Sequence, residues 1–366
     1  MLPLKLSGRY LLSKSMPVSS VALSSSLSSS LSSLSSAKIP QQDAFTELEH
    51  KNWQRGVDAY TAGFGPLTSQ AVPTLLERAG FLPTTTAADI DNDNNGCSQN
   101  GGVINRTSSL LDLACGPGQV VTAAVSKAKA STTINDNDNA DNSCCCSYTA
   151  LDFSSNFLQL AERNLKSDHP DIADTDINFV EGDAQAMASL FDDESFTSVT
   201  SNFGILHLSS PDSFLLESYR VLKPGGKLAF SAWSAPPNTE GFDLILGAVK
   251  DAGNPNVALP EGPPFFRFSN PEEIQRSLEA AGFIDIDVTV VDTMQWTNVD
   301  SSDQLYDILL EGTARTRELL RGQTEEETKA VKEELKRRYG ERVTEGDSAR
   351  RHLRMPAVIS SGRKPL

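Results

Sequence analysis

The stretch Ser109-Leu110-Leu111-Asp112-Leu113-Ala114-Cys115-Gly116-Pro117-Gly118-Gln119 constrains this chain more than any other. A short apolar run carrying one acid breaks into a glycine turn, after which Val120, Val121, Ala124, Val125 and Ala128 recur at helical spacing. The pattern predicts strand, glycine turn and helix. Glycine lets the backbone take positive φ and approach a ligand closely, and the start of a helix offers free N–H groups to an anion. A dinucleotide fingerprint would place a third glycine where Val121 stands, and here the acid lies inside the strand, four residues before the first glycine. A nicotinamide cofactor is therefore disfavoured.

Further strand signals fall at 148–153, 178–181, 198–202, 227–233, 284–291 and 355–361. Helical patterns separate them, which implies a parallel sheet covered on both faces. Asn270-Pro271-Glu272-Glu273 reads as a capped helix start closed by Gly282, and Thr324 with Glu327 as a capping box. Ahead of the glycine turn, 43–60 and 66–80 each read as one helix. Two helical patterns, 303–320 and 325–338, intervene before the last strand, far more chain than a hairpin needs. The stretch 298–353 is accordingly expected to be a helical insertion that forms a lid or an oligomer contact.

The chain carries 32 basic and 48 acidic side chains, a net charge of −16, and would be repelled by a phosphate backbone. No window approaches the roughly 18 consecutive apolar residues of a membrane span. Residues 1–42 hold Lys5, Arg9, Lys14 and Lys38 but no acid, and serine fills 12 of the 18 places from 19 to 36. That composition resembles an organelle transit peptide, a mitochondrial address being favoured over a plastid one; the alternative is a disordered tail on a cytoplasmic protein. The stretches 84–105 and 131–147 are so rich in Asn, Asp, Ser and Thr that disordered surface loops are expected. Five cysteines, three of them the run Cys144-Cys145-Cys146, make neither a disulfide framework nor a tetrahedral metal site.

After the glycine turn come Ala150-Leu151-Asp152-Phe153-Ser154, Glu181-Gly182-Asp183-Ala184, Ser201-Asn202-Phe203-Gly204 and Arg220-Val221-Leu222-Lys223-Pro224-Gly225-Gly226. In this order, with Asp112-x-Ala114-x-Gly116-x-Gly118 at their head, these motifs resemble the class I S-adenosylmethionine-dependent methyltransferases, type 11 group, a branch related to the ubiquinone/menaquinone C-methyltransferases. The resemblance covers residues 45–365 and implies a domain over 43–365. It implies an α/β fold: a seven-stranded, mostly parallel, Rossmann-like sheet with an antiparallel last strand, helices on both faces and the insertion between strands 6 and 7.

Residue by residue, the resemblance assigns Asp112, Ala114, Gly116, Gly118, Asp152, Phe153, Asp183, Ala184 and Asn202 to S-adenosyl-L-methionine. Gly116 and Gly118 would form the turn under its methionine part, with Asp112 at the amino group directly or through water. Asp152 would accept the ribose hydroxyls, and Asp183 and Ala184 would meet the adenine; an ordinary helix-capping role is the alternative for both acids. His207 is a candidate general base, because its ordinary pKa is near 6.5. Trp53 and Tyr60, leaning over the site from the N-terminal helices, are candidate ligand contacts. Trp233 and the segment from Gly262 to Phe268, which includes Arg267, are expected to wall an acceptor pocket. Methyl transfer to O or C of a small organic molecule is the activity implied, with quinone-ring C-methylation as its sharpest form. A non-catalytic fold that binds the donor and serves as an organellar assembly factor is the alternative. The fourth motif lacks the Asn-Pro-Pro-Tyr of base N-methyltransferases, in keeping with the acidic charge, and the oligomeric state is left open.

Overall fold

Burial on both faces sets the character of the central strand. The computed structural model describes residues 43–81, 108–132, 146–174, 176–343 and 352–366, all within one unit, Gln42–Leu366. Strand β1 (Ser109–Leu113) is buried at every position, which is why it reads as an unbroken apolar run rather than an alternating one. It pairs in parallel with β2 (Ser147–Asp152) on one side and β4 (Phe196–Asn202) on the other, so that Asp112 lies opposite Ala150 and Thr200. With β3 (Ile177–Glu181), β5 (Leu222–Trp233), β6 (Ile284–Val291) and β9 (Ala357–Arg363) the order is β3-β2-β1-β4-β5-β9-β6. Only β9 runs against the common direction of the other six strands. The sheet is the seven-stranded, Rossmann-like one expected.

Helices α5 (Gln119–Thr132) and α6 (Ser155–Asp168) pack on each other and on β1, β2 and β3, while α7 (Pro211–Val221) and α9 (Pro271–Ala280) form a second group over β5 and β6. Helix α8 (Glu240–Ala252) follows β5. Between β6 and β9 lie a short ribbon, β7 (Gln295–Trp296) with β8 (Leu353–Arg354), and three helices: α10 (Ser302–Glu311), α11 (Arg315–Arg321) and α12 (Glu325–Arg342). Thr324 and Glu327 form the capping box of α12. Trp296, fully buried, donates its indole N–H to the Gly63 carbonyl (2.8 Å) and so ties the insertion to the N-terminal helices.

Three expected helices are broken. The pattern 43–60 divides at Gly56 into α1 (Ala44–Arg55) and α2 (Val57–Gly63), and 303–320 divides at Gly312 into α10 and α11. Each break touches the other: a Cβ on Gly56 would lie 3.2 Å from the Glu311 carbonyl oxygen, and one on Gly312 would lie 3.4 Å from the Ala59 backbone. The glycines allow two backbones to cross closely, which a one-dimensional pattern does not express. The pattern 66–80 resolves into α3 (Gly65–Thr68), a 3-10 turn and α4 (Val72–Arg78). The basic tail 1–42 and the polar stretch 84–105 lie outside the described residues, as does most of 131–147; 131–132 end α5 and Ser147 begins β2.

Gly118 holds α5 against α6. Its φ is +80° and an added Cβ would come within 2.9 Å of the Ala161 Cβ. Gly118→Ala is expected to cost about 2 kcal/mol or more, from the left-handed backbone plus the overlap. Urea denaturation of the two proteins checks this; equal midpoints would show that the helices yield freely there.

Candidate active site

The carboxyl ends of β1, β2, β4 and β5, with the loop after β3, open into one cavity of about 630 Å³, the place where open parallel sheets bind ligands. Ala114 and Gly116 enter it from the turn after β1, Asp152 and Phe153 from the end of β2, Asp183 and Ala184 from the loop after β3, and Asn202 from the end of β4. Gly118 and Asp112 are not on its wall.

Gly116, at φ +53°, has nothing within 4 Å of where a Cβ would stand. Its N–H donates to Asp152 Oδ2 (2.9 Å), while the Ser154 N–H donates to Asp152 Oδ1 (2.8 Å). Each carboxylate oxygen keeps a further lone pair, and the pair can accept two vicinal hydroxyls. Burial pushes the Asp152 carboxyl up to about 6 against these two bonds. Asp183 Oδ1 accepts from both the backbone and the side-chain amide of Gln185 (2.8 and 3.0 Å). The Asn202 amide is spent within the protein: Nδ2 donates to the Thr68 carbonyl and Oδ1 accepts from Ser231. Phe203, next along, sits at φ +60° and is held there by its N–H bond to Ser231 and by stacking on Trp233 at 3.9 Å. A bulky residue in that region costs about 1–3 kcal/mol, and this one faces the cavity.

Asp112 lies one layer beneath. It is fully buried, accepts from Thr200 Oγ1 (2.9 Å) through Oδ1, and its Oδ2 has no partner among the described residues. Burial pushes its carboxyl up to about 8, so the neutral acid is the form stored in the core.

The roof of the cavity comes from elements outside the sheet. Helix α1 turns an inner face of Phe45, Thr46, Glu49, Asn52 and Trp53 downward. Glu49 is fully buried; its Oε2 accepts from the Trp53 indole N–H (2.9 Å) and lies 3.0 Å from His207 Nδ1. His207 reaches the cavity wall with Trp53 edge-on at 4.7 Å and Phe265 at 5.8 Å. With the ring proton on Nδ1 donated to Glu49, Nε2 is left as a proton acceptor. Gln54 fastens the other end of α1 to the loop after β2, accepting from Ser154 Oγ and Asn156 Nδ2 through its side chain and backbone oxygens.

Trp53, Tyr60, Trp233, Gly262, Phe265 and Phe266 all line the cavity. Arg267 does not: it forks onto Asp212 (2.8 and 3.0 Å) and bonds Glu273 (2.8 Å), turned away from the site. The cation that reaches the wall is Arg315, from the insertion. Sequence reasoning missed Arg315 and Glu49. For Glu49 a signal existed, since it falls between Phe45 and Trp53 at spacings of four on a face that otherwise reads as buried.

Among the described residues no helix is long and apolar enough to cross a membrane, and no cluster of His, Cys, Asp and Glu could hold a metal ion.

A glycine turn after the first strand, acids after the second and third, and an antiparallel seventh strand define a class I methyltransferase fold. S-adenosyl-L-methionine is the methyl donor of that class, and the open Gly116 backbone beside the Asp152 carboxylate fits it. Residues 111–230, about a third of the chain, match the model of a methyltransferase domain family, Methyltransf_11. The chain is 38% identical over 103 residues to a demethylmenaquinone methyltransferase of Clavibacter sepedonicus, covering 27% of this chain and 39% of that protein. It is 32% identical over 142 residues to the mitochondrial 2-methoxy-6-polyprenyl-1,4-benzoquinol methylase of Dictyostelium discoideum, covering 36% and 45%. The chain thus spans less than half the length of these relatives. Among solved structures it is similar to Haemonchus contortus phosphoethanolamine N-methyltransferase 2, with a TM-score of 0.45 and 20% identity over 88% of this chain and 60% of that one.

Because burial raises the Asp112 carboxyl, the neutral acid stabilises the fold. That contribution is complete below the ordinary value of 3.8 and is lost as pH rises through about 8. Asp112→Asn cannot ionise, so its melting temperature is expected to gain on that of the natural protein steadily between about pH 4 and pH 8. Scanning calorimetry at several pH values checks this, and a constant difference would place the Asp112 carboxylate in a better-solvated site.

Proposed function

We propose that this chain transfers a methyl group from S-adenosyl-L-methionine to an O or C atom of a small organic acceptor. The observation that carries the reading is one cavity with Asp152 and the open Gly116 backbone on one side and His207, held on Glu49, on another. When bound, the donor supplies a sulfonium methyl for in-line displacement. Asp152 accepts the ribose hydroxyls, Asp183 and Ala184 meet the adenine, and Asp112 backs the turn from beneath. Helix α1 and the aromatic side chains of the roof exclude water and orient the acceptor, work that can amount to several powers of ten in rate. His207 takes the acceptor's proton at Nε2.

A planar quinol-like ring is the acceptor this reading favours, because ten Trp, Tyr and Phe side chains line the cavity and the matched relatives are named for a menaquinone and a benzoquinol. The net charge of −16 argues against nucleic acid. A mitochondrial address rests on the acid-free, serine-rich residues 1–42 and on the Dictyostelium relative's name.

Calorimetric titration with S-adenosylhomocysteine and with NADH, followed by transfer of labelled methyl to a panel of quinols and phenols, tests the activity. Binding of NADH in place of S-adenosylhomocysteine would sink it. The ionised Asp152 accepts hydroxyls more strongly than the neutral acid, so affinity for S-adenosylhomocysteine should hold above about pH 6 and decline below it. Asp152→Asn should weaken binding at pH 8 about ten- to a hundredfold, the worth of hydrogen bonds to a charged group, and abolish that decline; unchanged affinity would refute the ribose role. His207→Asn should leave S-adenosylhomocysteine binding intact and lower kcat about 10²- to 10⁴-fold. Full turnover in that variant would reduce His207 to a packing residue.

A further inference from the structure

Arg315 is the only Lys or Arg among the described residues on the cavity wall. Its guanidinium sits 5.2 Å from the centroid of the Phe45 ring, and it has no ion pair or side-chain hydrogen bond among the described residues. Its neighbours on the same short helix are engaged: Arg317 is buried and paired with Glu311, and Arg321 reaches the same carboxylate. Arg267, which an acceptor-binding role would have suited by sequence, is satisfied by Asp212 and Glu273. Thr316, beside Arg315, also faces the cavity with no side-chain hydrogen-bond partner among the described residues. In a protein with 16 more acids than bases, a half-buried guanidinium that rests on an aromatic ring and has no carboxylate partner among the described residues suits an anion. Its planar fork matches a carboxylate.

Two carboxylates can enter such a site, that of the donor's methionine part and one on the acceptor. The position of Arg315 favours the acceptor. It stacks on Phe45 at the first turn of α1, against which Gly262 also packs, whereas Gly116 and Asp152 lie on the sheet side of the cavity. Ala314 shares one buried cluster with Trp53 and Phe157, and Trp53 lies against His207. Arg315 therefore belongs to the part of the wall that also holds the proton acceptor.

We propose that Arg315, carried by the insertion between the last two strands, binds a carboxylate of the methyl acceptor, so that the acceptor is a planar aromatic acid. The proposal rests on the methyltransferase reading above, and the test separates the two. The full chain and its Arg315→Met variant are titrated with S-adenosylhomocysteine. Each loaded protein is then titrated with 4-hydroxybenzoate and 6-hydroxy-2-naphthoate and with the matching carboxamides. The natural protein is expected to bind at least one acid tenfold or more tightly than its amide, the variant to lose that preference, and S-adenosylhomocysteine affinity to change less than twofold. Equal affinity for acid and amide in the natural protein, or binding of neither, overturns the proposal while the donor reading stands. A tenfold or greater loss of S-adenosylhomocysteine affinity in the variant also overturns it and assigns Arg315 to the donor's carboxylate. Failure of the natural protein to bind S-adenosylhomocysteine overturns the methyltransferase reading itself.

Discussion

The bond from the Gly116 N–H to the Asp152 carboxylate joins the ends of two adjacent parallel strands, and the geometry of the cavity follows from it. A turn that leaves β1 at positive φ exposes backbone polar groups, and those groups need partners when they are buried. Asp152 satisfies one of them and in return is held in place, with the Ser154 N–H fixing its other oxygen. The carboxylate is thereby positioned before any ligand arrives. The cost is desolvation, which burial registers in its raised pKa. Asp112, one layer deeper, meets the same cost with a single hydroxyl partner and shifts further.

Above this floor the roof is assembled from both ends of the chain. Helix α1 bridges the loop after β2 through Gln54 and the loop after β4 through Thr46 and Glu49. The insertion closes the remaining side, and it rests on α2 through the Trp296 indole and through the paired breaks at Gly56 and Gly312. The same insertion that secures the N-terminal helices also delivers Arg315 and Thr316 to the cavity. Stability of the roof and composition of the site are therefore coupled: a change that loosens the crossing of α2 and α10 also moves the groups that would meet an acceptor.

The glycines divide the labour in a way the motif conceals. Gly116 faces open space, as a residue that must admit a ligand should, whereas Gly118 is required by the approach of α6. Asn202, at a motif position, spends its amide bonding α3 to β5, and its neighbour Phe203 bears the strain that turns the chain toward the cavity.

The antiparallel last strand was implied by the family resemblance. The positions of the strands along the chain and the acids on the loops were legible in the sequence, because apolar runs and glycine turns are local signals and a parallel sheet places successive strand ends on one edge. Asp152, Asp183 and Gly116 reach the cavity for that reason alone. Which charged groups of the roof point inward could not be read that way. Arg267 and Arg315 look alike in one dimension; only packing gives Arg267 two carboxylate partners and leaves Arg315 with none among the described residues. Glu49 and His207 are 158 residues apart and meet solely because α1 folds back across the sheet. The sequence by itself determined the floor of the site, where each position follows from its own strand. The tertiary structure decided the roof, because contacts between elements distant in the chain depend on how helices cross, and the glycines that permit the crossing are ambiguous until the partner helix is seen.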